Sequence, residues 1–214
     1  MARPRASPYP GTSLTNARGR LQLYYLSSAF HKMLGQSRMD RVDFDGDSIH
    51  RQTATYSNGA RIWSNRSNRD WEGDGLVLPP SGYLITGPNG FRQYRARKNQ
   101  IVETVVSDEY QYFSAEDRFD FGSVIMNGAL AVRSPSQGTI VFSEVLKPGD
   151  VQFRLGQLRG TSSGQKLLNA WILLTRGRKL ELKFPDIAQE GDLVRFRPAE
   201  MATTAGYEIV LGQQ

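Results

Sequence analysis

Hydrophobic and polar positions along the chain change their period once, near residue 38. Between residues 18 and 34, apolar side chains recur at helical spacing, which predicts one amphipathic helix. Its apolar stripe consists of Leu21, Tyr25, Leu26, Ala29, Phe30 and Met33. Thr15 or Asn16 is expected to cap the start of this helix, and Gly35 to end it in a left-handed conformation. The stripe needs a covering surface, either the rest of the chain or a partner protein.

After residue 38 the pattern alternates, as expected for strands that are buried on one face. Turn residues interrupt the apolar runs at intervals of about 8–12 residues. Asn58-Gly59 lies between two such runs and predicts a two-residue hairpin with positive φ at both positions. Further strands are predicted at residues 76–78, 82–86, 91–96, 101–106, 110–113, 124–125, 129–133, 139–142, 151–158, 167–174, 180–184, 193–198 and 207–211. We therefore predict a mainly all-β chain with a β-sandwich or barrel-like domain after the helix.

Lys147-Pro148-Gly149-Asp150 is the clearest candidate for a domain boundary, because Pro and Gly interrupt the alternating pattern there. We predict an arm and amphipathic helix at residues 1–37 and a β-sandwich domain at 38–147. Residues 148–214 contain about five further predicted strands, which is the size of a small Ig-like β domain.

Charge and composition narrow the classes of function. The chain has 214 residues, no Cys and a formal net charge of +6. Residues 1–37 hold five basic and no acidic residues, whereas residues 38–149 hold 13 basic and 14 acidic residues. Nucleic-acid binding needs clustered, unopposed Lys and Arg, so it is not expected of the folded body. The arginine-rich segments 92–98 and 176–179 are interpreted as solvated strand faces and turns.

Targeting signals are absent from the sequence as given. No apolar run approaches the roughly 20 residues that cross a bilayer, so no membrane partner is predicted. The first residues carry charge but lack the apolar region of a secretory signal. The compartment is therefore not fixed, and an extracytoplasmic location would require a signal elsewhere.

Candidate chemistry is sparse. With no Cys and only His31 and His50, no set of nucleophile, base and orienting group can be assembled, so no catalytic residue is assigned. Asp43, Asp45 and Asp47 alternate and could offer oxygen ligands to Ca²⁺, the one cofactor considered. A solvated turn is the favoured interpretation, because the glycine is misplaced for a calcium-binding loop of the EF-hand type.

Aromatic residues suggest a second kind of site. Trp71 lies among charged residues in a loop-like segment and is the tryptophan expected to be exposed. Together with Tyr83 and Tyr94 it could form a platform on which sugar rings stack. Trp63 and Trp171 are interpreted as core residues, because they lie within apolar strand patterns.

The segment around Trp71 also carries a family resemblance. Residues 55–66 (TYSNGARIWSNR), the pair Asp70-Trp71 and residues 78–83 (LPPSGY) follow one another in a characteristic order. This order resembles the β-rich C-terminal regions attached to (α/β)-barrel glycoside hydrolases and glycoside-hydrolase-like proteins of bacteria. The resemblance covers roughly residues 20–145. In such proteins the catalytic carboxylates lie in the barrel, which this chain does not contain.

The resemblance implies a non-catalytic accessory region that packs on a barrel or contacts glycan, with the helix at 18–34 facing the barrel or another protein. Two alternatives remain open. One is a stand-alone carbohydrate-binding module that uses the Trp71 platform. The other is a structural or assembly β protein with a basic N-terminal arm.

Overall fold

The computed structural model describes residues 17–146, 148–174, 177–182, 186–198 and 204–212. These residues form one α-helix and a network of antiparallel strands, which confirms the predicted mainly β, sandwich-like fold with a short N-terminal helix. The helix α1 spans Ala17–Leu34. Gly35 follows with a φ of 51°, as predicted for its end. The predicted caps Thr15 and Asn16 lie outside the described residues.

The described residues contain seventeen strands and a short 3-10 turn at Pro88–Gly90. The strands of the first half are β1 (Met39–Asp45), β2 (Ser48–Tyr56), β3 (Arg61–Asn65), β4 (Trp71–Gly73), β5 (Leu76–Leu78), β6 (Tyr83–Thr86), β7 (Arg92–Arg97), β8 (Ile101–Val106) and β9 (Gln111–Asp120). The remaining strands are β10 (Val124–Ser136), β11 (Thr139–Leu146), β12 (Val151–Arg154), β13 (Lys166–Leu174), β14 (Lys179–Glu181), β15 (Ile187–Glu190), β16 (Leu193–Phe196) and β17 (Thr204–Gly212).

The first sheet is an antiparallel meander. β1, β2, β3, β6, β7, β8, β9 and β10 pair in that order. β4 and β5 form a hairpin that joins β7. The long β10 pairs with β11 along much of its length and with β12 near its start. Two branches continue from there, β11–β17–β13–β14 and β12–β16–β15.

The largest buried cluster takes side chains from both of these branches. Phe142 of β11 lies 5.2 Å from Phe153 of β12 and 5.2 Å from Phe196 of β16, measured between ring centroids. The domain boundary predicted at residue 148 falls between these residues in the sequence. Side chains from both sides of that position therefore share one core.

Helix α1 lies on one face of the meander. Its Tyr25 and Ala29 are buried, and Leu26, Phe30 and Met33 pack against the same cluster. The predicted stripe is thus covered by the chain's own sheet except at Leu21, which is 39% exposed. In the described part of the chain, no helix has the length and apolar content to cross a membrane.

The hairpin predicted at Asn58-Gly59 is present, but its turn is longer than expected. Three residues separate Tyr56 from Ala60, whose backbone groups pair, and Gly59 alone of the three has a positive φ, 83°. The side chain of Asn58 accepts a hydrogen bond from the Ala60 amide at 3.0 Å and donates one to the Met33 carbonyl at 2.9 Å. These bonds explain the wider turn and tie the hairpin to the end of α1.

Candidate functional site

Alternation along β6 and β7 separates the three aromatic residues predicted to bind a ligand. Tyr94 pairs with Leu84 on the next strand, and both belong with Trp71 to one cluster. We call this side of the meander the outer face. Tyr83 precedes Leu84 and therefore lies on the opposite side, the helix face, where it packs in the cluster under α1. Trp71 and Tyr94 are brought together, and Tyr83 belongs to a different site.

On the outer face, Trp71 and Tyr94 are half-buried. The guanidinium carbon of Arg92 lies 5.8 Å from the centroid of the Tyr94 ring, and the ammonium nitrogen of Lys98 lies 5.9 Å from it. Burial raises the pKa of the Tyr94 hydroxyl, and the charge of Arg92 offsets part of that rise. The Tyr94 ring is thus already in contact with two cations.

The three carboxylates considered for calcium lie at the β1–β2 hairpin. Asp43 and Asp45 belong to β1, and Asp47 lies in the turn. Arg41 forms an ion pair with Asp43 at 2.6 Å, and Arg51 forms one with Asp45 at 3.2 Å. Across the described ranges, no group of three His, Cys, Asp or Glu side chains could hold a metal ion. Asp43 and Asp45 are therefore members of surface ion pairs.

A cavity of 330 Å³ lies between α1 and the helix face of the sheet, and we call it the helix–sheet pocket. Its apolar lining comes from Leu23, Leu26, Phe30, Ile62 and Ile85. Its polar lining comes from Gln22, Ser27, His31, Tyr83, Gln93, Arg95 and Glu103. A mainly apolar cavity of this size with a few convergent polar groups is typical of a small-molecule site.

A buried ion pair forms part of the pocket wall. Tyr83, Arg95 and Glu103 are direct cross-strand partners on β6, β7 and β8, so their side chains share the helix face. Arg95 Nη1 donates to Glu103 Oε1 at 3.0 Å, and only 7% of the Glu103 side chain is exposed. From α1, Gln22 Nε2 donates to the other carboxylate oxygen at 3.5 Å. The helix and strands β7 and β8 thus meet at one charged group.

Hydrogen bonds hold α1 over the pocket. Gln93 Nε2 donates to the carbonyl of Leu26 at 2.8 Å and to the hydroxyl of Tyr83 at 3.1 Å. The hydroxyl of Tyr110 donates to the carbonyl of Tyr25 at 2.6 Å. Burial raises the pKa of Tyr110, so the phenol remains a neutral donor at physiological pH. The pocket is therefore a fixed feature of the fold.

Three polar atoms of the pocket's lining residues have unused hydrogen-bonding capacity. Gln22 Oε1, Gln93 Oε1 and Arg95 Nε are buried, and none finds a hydrogen-bond partner among the described residues. Each such group costs roughly 1–3 kcal/mol when left unpaired. The Gln22 amide also lies beside the hydroxyl of Tyr112, another buried group without a partner in the described part of the chain. The terminal torsion of glutamine has a broad energy minimum, so the carbonyl oxygen of Gln22 can turn toward Tyr112 or toward the cavity. The three atoms have almost no accessible surface, so a polar guest relieves part of this cost only where a side chain turns to meet it.

Sequence reasoning found Tyr83 but missed Gln22, Gln93, Arg95 and Glu103. The interpretation of segment 92–98 as a solvated face is wrong for Arg95, whose side chain is only 20% exposed. A signal was available in β8, where one glutamate interrupts the apolar run IVETVV. A carboxylate in a buried strand requires a cationic partner, and Arg95 on the neighbouring strand supplies it.

The ionisable side chains of the pocket are His31, Tyr83, Arg95 and Glu103. The described lining contains a single carboxylate, Glu103, which Arg95 engages. Hydrolysis of a glycosidic bond ordinarily uses two carboxyl groups on either side of the bond. Comparison of the chain with protein-family models, curated proteins and solved structures finds no match. The functional conclusion therefore rests on the arrangement of these residues.

Proposed function

We propose that this chain is a non-catalytic accessory region of a carbohydrate-active protein, and that its helix–sheet pocket binds one sugar ring. The observation that carries the proposal is the unused hydrogen-bonding capacity of Gln22, Gln93 and Arg95 around a cavity of 330 Å³. Two of these atoms are acceptors and one is a donor. A ligand that matches them must both donate and accept hydrogen bonds at closely spaced positions.

Sugar hydroxyls satisfy this requirement, because each hydroxyl donates one hydrogen bond and accepts others. Neighbouring hydroxyls of a pyranose could donate to Gln22 Oε1 and Gln93 Oε1 while accepting from Arg95. The apolar lining from Phe30, Ile62 and Ile85 suits the C–H faces of the same ring.

The accessory role has separate support from the surface of α1. Leu23 and Tyr24 are 46% and 55% exposed, although most of the predicted stripe of this helix is covered by the sheet. Leu21 adds to the same exposed apolar surface. In the arrangement that the family resemblance implies, a catalytic barrel would cover these side chains and place the pocket beside its cleft.

Saturation-transfer NMR with a panel of neutral monosaccharides, followed by calorimetric titration of the sugar that responds, tests the pocket. The variant Gln22→Leu removes one acceptor, and with it the donor to Glu103, at similar side-chain volume, and we expect it to weaken binding about threefold to tenfold. The matched control Gln157→Leu makes the same change at an exposed position and should bind as the parent does.

The variant Trp71→Ala distinguishes the pocket from the stand-alone module that uses the outer face. Binding that survives Trp71→Ala and weakens in Gln22→Leu supports the proposal. Binding that is lost in Trp71→Ala and unchanged in Gln22→Leu assigns sugar recognition to the outer face instead. The absence of binding by any sugar of the panel would overturn the proposed function.

A further inference from the structure

A row of arginines crosses the outer face, away from the helix–sheet pocket. Arg61 of β3 pairs with Thr86 of β6, which pairs with Arg92 of β7. Arg92 in turn pairs with Val106 of β8, and Val106 pairs with Gln111 of β9. Directly paired residues of an antiparallel sheet lie on the same face, so Arg61 and Arg92 belong to one line across five strands.

Arg159 continues this line beyond β8 and β9. Its amide donates to Gln111 Oε1 at 3.4 Å, and its guanidinium donates to the carbonyl of Ser107. Neighbouring strands are about 4.8 Å apart, so the backbones of Arg61 and Arg92 are about 10 Å apart, and the backbone of Gln111 lies about 10 Å further on. We call Arg61, Arg92 and Arg159 the arginine row.

The charges of the arginine row are not neutralised within the described protein. Arg41, Arg51 and Arg97 on the same half of the molecule each form an ion pair with an aspartate. Arg61, Arg92 and Arg159 form no ion pair with any carboxylate in the described ranges, and all three are exposed. Their positive charge therefore remains available to a ligand.

Tyr94 positions the middle member of the row. It lies two residues after Arg92 on the same face of β7, and the Arg92 guanidinium carbon is 5.8 Å from its ring centroid. A planar guanidinium held against an aromatic ring loses less conformational freedom on binding and keeps its bidentate edge for a carboxylate or sulfate. Lys98, 5.9 Å from the same centroid, adds positive charge beside Arg92.

We propose that the arginine row binds an acidic polysaccharide, a chain with carboxylate groups on only some of its rings. The spacing selects this partner. Duplex DNA presents one charge about every 1.7 Å of its length, so three arginines and Lys98, spread over about 20 Å of the sheet, would leave most of its phosphates unpaired. In a polysaccharide whose charged rings are separated by neutral rings, the distance between carboxylates is similar to the distance between arginines of the row.

The site uses other residues than the helix–sheet pocket and does not depend on the proposed function. Its test measures binding of half methyl-esterified polygalacturonate, a chain in which charged and neutral rings are mixed, to the full chain by affinity electrophoresis and titration; we call this polymer polygalacturonate. Fully methyl-esterified polygalacturonate serves as the uncharged probe of the same backbone, and a DNA duplex serves as the densely charged probe.

The test variant combines Arg61→Gln with Arg92→Gln. The control variant combines Arg66→Gln with Arg178→Gln, which removes the same charge at exposed positions outside the row that also form no ion pair in the described ranges. We expect polygalacturonate binding to weaken at least tenfold in the test variant and less than twofold in the control. Arg92→Lys keeps the charge but loses the bidentate edge, and should give an intermediate loss. Binding by the parent chain should weaken as salt is raised.

Three results would overturn the proposal. Equal losses in the test and control variants would show attraction to net charge alone. Binding of the fully esterified polymer with the same affinity would show that the carboxylates are not recognised. Tighter binding of the DNA, or no binding of polygalacturonate, would exclude an acidic polysaccharide as the partner. Thermal unfolding of each variant confirms that its fold is retained.

Discussion

Replacing Arg95 with Met probes the buried ion pair at the pocket wall. The substitution keeps an unbranched side chain of similar length but leaves the Glu103 carboxylate, 7% exposed, without its cation. Removing one member of a buried pair costs roughly 3–5 kcal/mol. Because 20% of the Arg95 side chain is exposed, we take the lower end, about 3 kcal/mol at neutral pH. For a chain of this size that corresponds to a fall in Tm of about 6–12 °C.

A double-mutant cycle separates the pair from its surroundings. Glu103→Leu should cost less than Arg95→Met, about 1–2 kcal/mol, because the freed guanidinium can reach water along its flexible stem. The double variant should recover most of the loss, since two apolar side chains then fill the site. Urea unfolding monitored by tryptophan fluorescence gives the four free energies. Additive effects of the two substitutions, with no recovery in the double variant, would refute the reasoning.

Three further predictions concern the helix anchor, a surface ion pair and a close backbone contact. Tyr110→Phe removes the hydroxyl that donates to the Tyr25 carbonyl, so thermal unfolding should show a loss of about 1 kcal/mol of stability. Amide hydrogen exchange in α1 should also accelerate, and unchanged exchange would show that this bond does not hold the helix. The hydrogen bond from Arg154 lowers the pKa of Asp120 in the folded protein. The ion pair therefore stabilises the fold at pH values above the ordinary aspartate pKa, and this stabilisation is lost as the pH falls through the lowered pKa of Asp120. In Arg154→Gln, the free energy of unfolding measured in urea should therefore depend less on pH below about pH 4. An unaltered pH profile would show that this ion pair does not contribute to stability. Gly206→Ala places a Cβ against the backbone carbonyl oxygen of Phe142 on β11, closer than van der Waals contact allows. It should therefore destabilise the fold by several kcal/mol in denaturant titrations, and a neutral effect would show that β17 can shift.

The sequence predicted the fold class because its signals are local. The helical spacing that ends at Gly35 and the alternation after residue 38 each report on neighbouring residues, and both elements are present. The pairing of strands is not local. β10 joins both branches of the sandwich, and the residues that pair with it lie before and after the boundary expected at residue 148. The Ig-like description of residues 148–214 stays a prediction.

The candidate site was harder to predict, because the face of the sheet on which a side chain lies, and not its residue type, determines whether it belongs to the site. Trp71 attracts attention as an aromatic residue among charges, yet it packs in the outer-face cluster. Gln93 and Arg95 resemble solvated strand residues in the sequence, and they are covered only because α1 folds back over β7. That contact joins residues 67 positions apart. No local pattern around Gln93 carries this information.

The most direct test of the proposed function is the location at which a sugar binds. Amide chemical-shift mapping of the labelled chain, titrated with the monosaccharide that responds in saturation transfer, reports that location residue by residue. We predict that the largest shifts fall on Gln22, Leu26, Gln93 and Glu103, around the helix–sheet pocket. Shifts confined to Trp71 and its neighbours on β4, with the pocket residues unmoved, would contradict the account.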